Sequence, residues 1–266
     1  MIDSKKNTIL TLDGRFWDKQ ELLEKMMDDE FYYNYLGVNA LSSSACKKLL
    51  DSPKAYQDSL ITKSSNDNPN FRIGHLFHWE LLEPERYKEL HFVDVKRKDS
   101  KVYKEALAEY GSYNTYTITE RDIAKRMVDN FLGNSKTAHF MKNTRCEVPA
   151  IGEINGLPFR AKADILGGSF IVDLKSTGDL VKFKWSARNF SYDVQAFIYC
   201  ELFGVSYKNF TFVAVDKNTG GLGIFECSRE FYESGKHKTN DAINIYKDFF
   251  VNKVKSIEEF YLYDVL

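Results

Sequence analysis

Phe170-Ile171-Val172-Asp173-Leu174-Lys175-Ser176-Thr177 begins with apolar, partly β-branched residues, and Gly167-Gly168 lies just before it. That pattern predicts a buried strand. Side chains alternate between faces along a strand, so Asp173 and Lys175 point one way while Val172 and Leu174 point the other. A carboxylate and an ammonium on a buried strand are costly to desolvate unless each has a partner or a task. Asp164, nine residues before Asp173, offers a second carboxylate. Two carboxylates beside a lysine suit a hard metal ion, with the ammonium steering a water molecule.

The flanking sequence supplies the rest of a sheet. Cys146–Glu153 and Leu157–Ile165 enclose Asn155-Gly156, a strong hairpin signal that leaves the turn type open. A helix is predicted over 189–203, ending at Gly204, then strands over Asn209–Val215 and Leu222–Cys227 joined through Asn218-Thr219-Gly220-Gly221. Arg229 to Val251 reads as helical. Before the hairpin, residues 7–12 suggest a short strand and Asp18–Glu30 a helix. Leu41-Ser42-Ser43-Ser44 caps a helix that runs on through Leu50, and Phe71–Leu82 is helical up to Pro84. Residues 62–70 read as a loop, and 119–132 and 135–142 as helices. The sum is an α/β fold with a mixed central β-sheet flanked by helices. We read 1–266 as a single domain, with 1–70 a mostly helical N-terminal part and 71–266 the catalytic core.

Composition excludes several classes. With 266 residues, 43% hydrophobic and 28% charged, the chain can bury a substantial core like an ordinary soluble protein. A formal net charge of −1 means that any surface for a polyanion must be local. No apolar run approaches a membrane span, and Met1-Ile2-Asp3-Ser4-Lys5-Lys6 lacks the apolar stretch of a signal peptide, so no membrane contact and a cytoplasmic location are expected. Cys46, Cys146, Cys200 and Cys227 are scattered without a C-x-x-C pair. Free, mostly buried thiols are therefore expected, rather than a zinc site, an iron–sulfur cluster or a disulfide framework.

Further candidates surround the strand. Asp164 shares a strand face with Lys162 and Arg160, which suits a groove where a metal sits beside a DNA phosphate backbone. A row of alternating surface charges is the plain alternative, and the pairing with Asp173 counts against it. Mg²⁺, or Mn²⁺ in its place, would need little beyond the two carboxylates, a backbone carbonyl such as that of Leu174, and a substrate phosphate. Lys175 would orient or deprotonate the attacking water, and the residues leave both open. Gln195 and Tyr199 lie one turn apart on a helix face and can bond a phosphate or a water, although helix boundaries often carry such pairs. His78 follows Gly74 by one turn and gains meaning as a ligand only beside the carboxylates. Lys182, Lys184, Trp185 and Arg188 interleave cations with aromatics, fit for phosphate contact and base stacking or, more plainly, for a basic loop over an apolar rim. Lys96-Arg97-Lys98 with Lys101 and Lys104 reads as a solvated loop.

In chain order, Gly74-x-x-x-His78, Asp164, Asp173-x-Lys175 and Gln195-x-x-x-Tyr199 resemble the motifs of PD-(D/E)xK nucleases of the RecB branch. Leu41-Ser42-Ser43-Ser44, Leu82-Glu83-Pro84-Glu85-Arg86-Tyr87, Ile171-Val172-Asp173-Leu174-Lys175-Ser176-Thr177 and Tyr192-Asp193-Val194-Gln195-Ala196 further resemble the RecE-type exonucleases of phages and prophages, also called exodeoxyribonuclease VIII. The resemblance runs from about residue 41 to 200, and residues 1–40 match none of it. It implies a restriction-endonuclease-like core and Mg²⁺-dependent digestion of double-stranded DNA ends. It also implies 5′→3′ polarity, leaving a 3′ single strand for a single-strand annealing protein. On this pattern His78, Asp164 and Asp173 are metal ligands, Lys175 is the catalytic lysine, and Gln195 and Tyr199 support the site. A homo-oligomeric ring around DNA, in the cytoplasm of a bacterial host cell, is the further implication. Two rivals keep the same scaffold: an endonuclease or single-strand nuclease of repair or defence, and a DNA-binding protein without catalysis. The intact acidic and lysine positions speak against the second.

Overall fold

The computed structural model describes residues 7–61 and 69–261, so most of the loop expected at 62–70 lies outside the described residues. The chain begins with β1 (Thr8–Leu10), β2 (Phe16–Asp18), α1 (Lys19–Lys25), α2 (Leu36–Asn39), α3 (Ser43–Asp51), α4 (Pro53–Ile61), α5 (Pro69–Leu82) and α6 (Pro84–Lys88). There follow β3 (His91–Val93), α7 (Lys101–Tyr110), β4 (Thr115–Thr117), α8 (Ile118–Gly133) and α9 (Ser135–His139). The last part holds β5 (Arg145–Ile154), β6 (Leu157–Leu166), β7 (Ile171–Thr177), α10 (Phe183–Asn189), α11 (Tyr192–Phe203), β8 (Phe210–Asp216), β9 (Leu222–Glu226) and α12 (Arg229–Tyr246).

Asn155 and Gly156 both take positive φ, 50° and 79°, which makes their turn the type I′ that matches hairpin twist. It sets the β5–β6 register from Ile154↔Leu157 out to Arg145↔Leu166. The main sheet runs β5-β6-β7-β8-β9, antiparallel except for the parallel β7–β8 pair. The connection from β7 to β8 carries α10 and α11, as a parallel pair requires a crossover. Strands with apolar residues on both faces need a layer on each side. On one face Phe159, Ala161, Phe210 and Phe212 pack with Val194, Phe197 and Ile198 of α11. On the other, Val172, Leu174, Val213 and Val215 meet Phe77 of α5 and Met127 and Phe131 of α8.

Two polar anchors fix the helices that reach the sheet. Arg72 of α5 is buried over the Tyr116 ring at 4.1 Å. Its Nε donates to Glu120 at 2.8 Å and its Nη2 to the Thr115 carbonyl at 2.6 Å, which ties α5 to β4 and α8. Asp193, 1% exposed at the start of α11, accepts from Ser234 at 2.7 Å and pairs with Lys238 at 2.8 Å. Here α12 crosses so closely that a Cβ on Gly235 would stand 1.9 Å from the Asp193 carbonyl oxygen.

Several segments differ from expectation. The helix expected over 189–203 starts only at Tyr192, after Ser191, whose φ is 55°. The basic-aromatic stretch before it is helical rather than a loop, because Phe183 and Ala187, one turn apart, bury together. The helix expected to reach Glu30 stops at Lys25, and the chain turns so that Asp29 meets Lys162 and Arg86. The helix expected over 135–142 ends at His139, and Lys101–Tyr110 forms a helix capped by Ser100 where a solvated loop was expected. The C-terminal helix becomes a π-helical turn over Lys247–Val251. The four cysteines are free, three of them buried. Among the described residues no helix is long and apolar enough to cross a membrane.

Candidate active site

The β6–β7 ladder ends at Ile165↔Val172. Beyond it a side chain takes over: Asp164 Oδ2 accepts the Leu174 N–H at 2.6 Å. The Leu174 carbonyl lies 3.1 Å from His78 Nε2. A carbonyl only accepts, so the ring donates there and its Nδ1 keeps a lone pair, 3.8 Å from Asp164 Oδ2. One peptide group thus positions both the acid and the imidazole. His78 reaches this point because α5 lies close on the end of β7, where a Cβ on Gly74 would come within 2.9 Å of Ser176 Oγ. Glycine at 74 permits that approach.

Glu147 completes the group. The hairpin register places it across from Asp164, between the pairs Cys146↔Ile165 and Val148↔Ala163. Its φ of 51° is left-handed, a conformation that costs a non-glycine residue about 1–3 kcal/mol. His78, Glu147 and Asp164 each offer a ligand atom, and these atoms all lie within 4.8 Å of one another. Donors on opposite sides of one Mg²⁺ or Ca²⁺ ion are roughly 4–5 Å apart, so the group fits a single hard cation. Burial lifts both acids above the ordinary carboxylate range; for Glu147 the Asp164 charge adds to it, while for Asp164 the Lys175 charge and the Leu174 amide oppose it. Burial, then the Lys175 charge, holds His78 down at about 4. Its imidazole is therefore neutral at pH 7, the form that ligates metals.

Asp173, Lys175 and Gln195 close a second arrangement beside the first. Asp173 is 1% exposed. Its Oδ1 accepts from Gln195 Nε2 at 2.5 Å, and its Oδ2 faces the Lys175 ammonium. Lys175 in turn donates to Gln195 Oε1 at 3.1 Å and sits over the Tyr192 ring at 4.6 Å. Burial raises Asp173 to about 6 against the pull of Lys175. For Lys175 burial works downward, but Asp173 and Tyr192 outweigh it, so the amine is an ammonium at neutral pH. Tyr199 is buried with its hydroxyl beside Gln195, where it holds the amide rather than reaching solvent.

Of the expected metal ligands, the structure brings together His78 and Asp164, with the Leu174 carbonyl against the imidazole. Asp173 stands outside that group, its Oδ2 against the Lys175 ammonium. Glu147 was not anticipated; counting outward from the Asn155-Gly156 turn would have found it.

The expected DNA contacts fall into two sets. Lys182, Lys184, Trp185 and Arg188 are exposed on or beside α10, Trp185 by 63%, and Lys182 pairs with Asp179 at 3.2 Å. Arg160 and Lys162 do share the Asp164 face, but the N-terminal segment covers them. The Arg160 guanidinium lies 4.3 Å over the Tyr32 ring, and Lys162 bonds Asp29 at 2.8 Å. Both cations, with Glu147, line a cleft of about 940 Å³.

The family described as "PDDEXK-like domain of unknown function (DUF3799)" matches residues 42–258, most of the chain. The chain belongs to this PDDEXK-like family. Its five-stranded mixed sheet between helical layers is accordingly a restriction-endonuclease-like core. A crystal structure of a candidate exonuclease from Eubacterium rectale is similar over 90% of this chain and 95% of its own, at 14% identity and a TM-score of 0.63, a likeness of fold. The crystal structure of SSO0001 is also similar, over 76% of this chain and 85% of its own at 14% identity, but its TM-score of 0.32 decides nothing. No curated protein matches the sequence.

Proposed function

We propose that the protein is a metal-dependent deoxyribonuclease that degrades linear double-stranded DNA from its ends. The observation that carries this is the convergence of His78, Glu147 and Asp164 within 4.8 Å, with the Asp173–Lys175–Gln195 arrangement beside them. His78, Glu147 and Asp164 would hold the ion, with the Leu174 carbonyl fixing the imidazole through its other nitrogen. Such an oxygen-rich set favours Mg²⁺, with Mn²⁺ able to replace it. When bound, the ion supplies charge stabilisation to the phosphoryl oxygens and acidifies a water.

The chain's own groups do the rest. Lys175, an ammonium held by Asp173 and Gln195, donates hydrogen bonds to the attacking water or to a phosphoryl oxygen, stabilising the negative charge that develops there. Orienting is therefore its role, rather than deprotonation. Gln195 uses its acceptor on Lys175 and its donor on Asp173, so its amide fixes both without rotating. Asp164 also keeps the Leu174 peptide turned so that its carbonyl accepts from His78 Nε2 and leaves Nδ1 free for the ion.

The resemblance to RecE-type enzymes supports the finer reading: 5′→3′ polarity, a 3′ single-stranded product for a single-strand annealing protein, and a homo-oligomeric ring. The exposed cations and Trp185 of α10 would contact the duplex. Linear duplex labelled on each strand in turn and incubated with Mg²⁺ tests this. Loss from the 5′ ends with a closed circle left intact is expected, whereas cutting of the circle would replace the exonuclease reading by an endonuclease one.

A further inference from the structure

Asp29 stands between two cations from different elements. Its Oδ1 accepts from Lys162 Nζ of β6 at 2.8 Å, and its Oδ2 from Arg86 Nη1 of α6 at 2.5 Å. Aromatic walls hold both cations in place. The Arg86 guanidinium lies 4.3 Å from the Trp79 ring centre, and the Lys162 ammonium 4.8 Å from that of Tyr32. Two fixed cations converging on two oxygens of one anion make the geometry by which proteins take a phosphate.

The location gives the pair a purpose. Lys162 precedes Asp164 by two residues on the same strand face, about 6.8 Å along the strand. Asp29, Arg86 and Lys162 line the same cleft as Glu147 of the metal-ligating group. Glu30 lines it as well, so Asp29 and Glu30 put two acids where a DNA strand approaching the site would have to lie. The π-helical turn Phe31–Tyr35 follows directly, an irregularity often found at functional positions.

We propose that Arg86 and Lys162 form a phosphate subsite for the DNA strand entering the cleft, and that Asp29 fills it in the DNA-free protein until a backbone phosphate displaces it. This rests on the nuclease reading for the place of the substrate. A phosphodiester and a carboxylate each carry one negative charge, so the exchange leaves local charge unchanged. It lowers affinity for any ligand that lacks an anion at this position.

A double-mutant cycle tests it, with binding of a short 5′-phosphorylated linear duplex followed by fluorescence anisotropy in EDTA over a salt series. Asp29→Asn, which keeps the shape of the side chain, should tighten binding roughly three- to tenfold and steepen the salt dependence by about one ion. Arg86→Gln should cost little in the wild type but remove the whole gain in the Asp29→Asn background, and Lys162→Gln should repeat the pattern. Unchanged or weaker binding by a folded Asp29→Asn protein, or equal effects of Arg86→Gln in both backgrounds, overturns the proposal. If the wild type degrades DNA with Mg²⁺ and the cycle is flat, this inference alone fails. If the wild type neither binds nor degrades duplex DNA, the nuclease reading falls with it.

Discussion

Glu147 faces Asp164 across the β5–β6 ladder, eight residues out from the Asn155-Gly156 turn, and adopts a left-handed φ of 51° in doing so. A strained backbone that brings two half-buried carboxylates together works against folding, through conformational cost and through charge repulsion. Both costs persist because the pair has a use. Glu147→Gly relieves both, so the metal-free variant should melt higher than the wild type, by about 1 kcal/mol in stability. The same variant should lose Mn²⁺ affinity by roughly 10–100-fold. Thermal denaturation and calorimetric titration check the two halves.

Metal uptake should expel protons. Of the two carboxylate ligands, Asp164 is raised by burial to about 6, and Glu147 is raised as well. A carboxyl whose native pKa exceeds its unfolded one adds stability below the unfolded value and loses it as pH rises through the native one. For Asp164 that window runs from 3.8 to about 6. The metal-free protein should therefore lose stability as pH rises across it, and the metal should restore it. Affinity should weaken as pH falls through about 6, where Asp164 takes up a proton, while His78 stays neutral down to about 4 and adds nothing above that. Calorimetry in buffers of different ionisation heat would report the released protons.

Gly74 supports the site from outside it. Alanine there would press on Ser176 Oγ, 2.9 Å away, and push α5 and His78 outward. Gly74→Ala should lower activity by up to about tenfold, since small misplacements of reacting groups are costly. Ser176→Ala removes the offending oxygen, so the double variant should recover most of the loss. Rates of DNA degradation across the four proteins decide it.

Much of the site was legible in sequence, and its omissions have physical reasons. The D-x-K strand and the hairpin follow from local periodicity, because strand periods fix which residues share a face, whereas the place of Gln195 beside Asp173 was implied only by the family resemblance. His78 and Asp164 meet as expected because an α5 free of a Cβ at Gly74 can reach the strand. Glu147 escaped notice because an acid in a strand looks ordinary until the turn type fixes its partner. The positions of Arg160 and Lys162 under Tyr32 and Asp29 were also hidden, since their partners lie more than a hundred residues away in sequence. The helical character of Phe183–Asn189 was hidden because its basic residues mask the Phe183/Ala187 spacing.

A separate prediction concerns the network that anchors α5. Burial would raise Glu120, but Arg72, Lys98 and the Thr117 amide bring it down from 4.5 to about 2. The stability it contributes is present above pH 4.5 and is lost as pH falls towards 2. Glu120→Gln should therefore cost roughly 3 kcal/mol at pH 7 and flatten the acid limb of the melting profile. Urea denaturation at several pH values measures both.

The most direct measurement is degradation of linear duplex DNA by the wild type and by Asp164→Asn, each with Mg²⁺ and with EDTA. The wild type should digest the duplex with Mg²⁺ and not with EDTA, and Asp164→Asn should be slower by at least about a thousandfold. Equal digestion by the variant, or digestion that persists in EDTA, would contradict a metal-dependent nuclease centred on His78, Glu147 and Asp164.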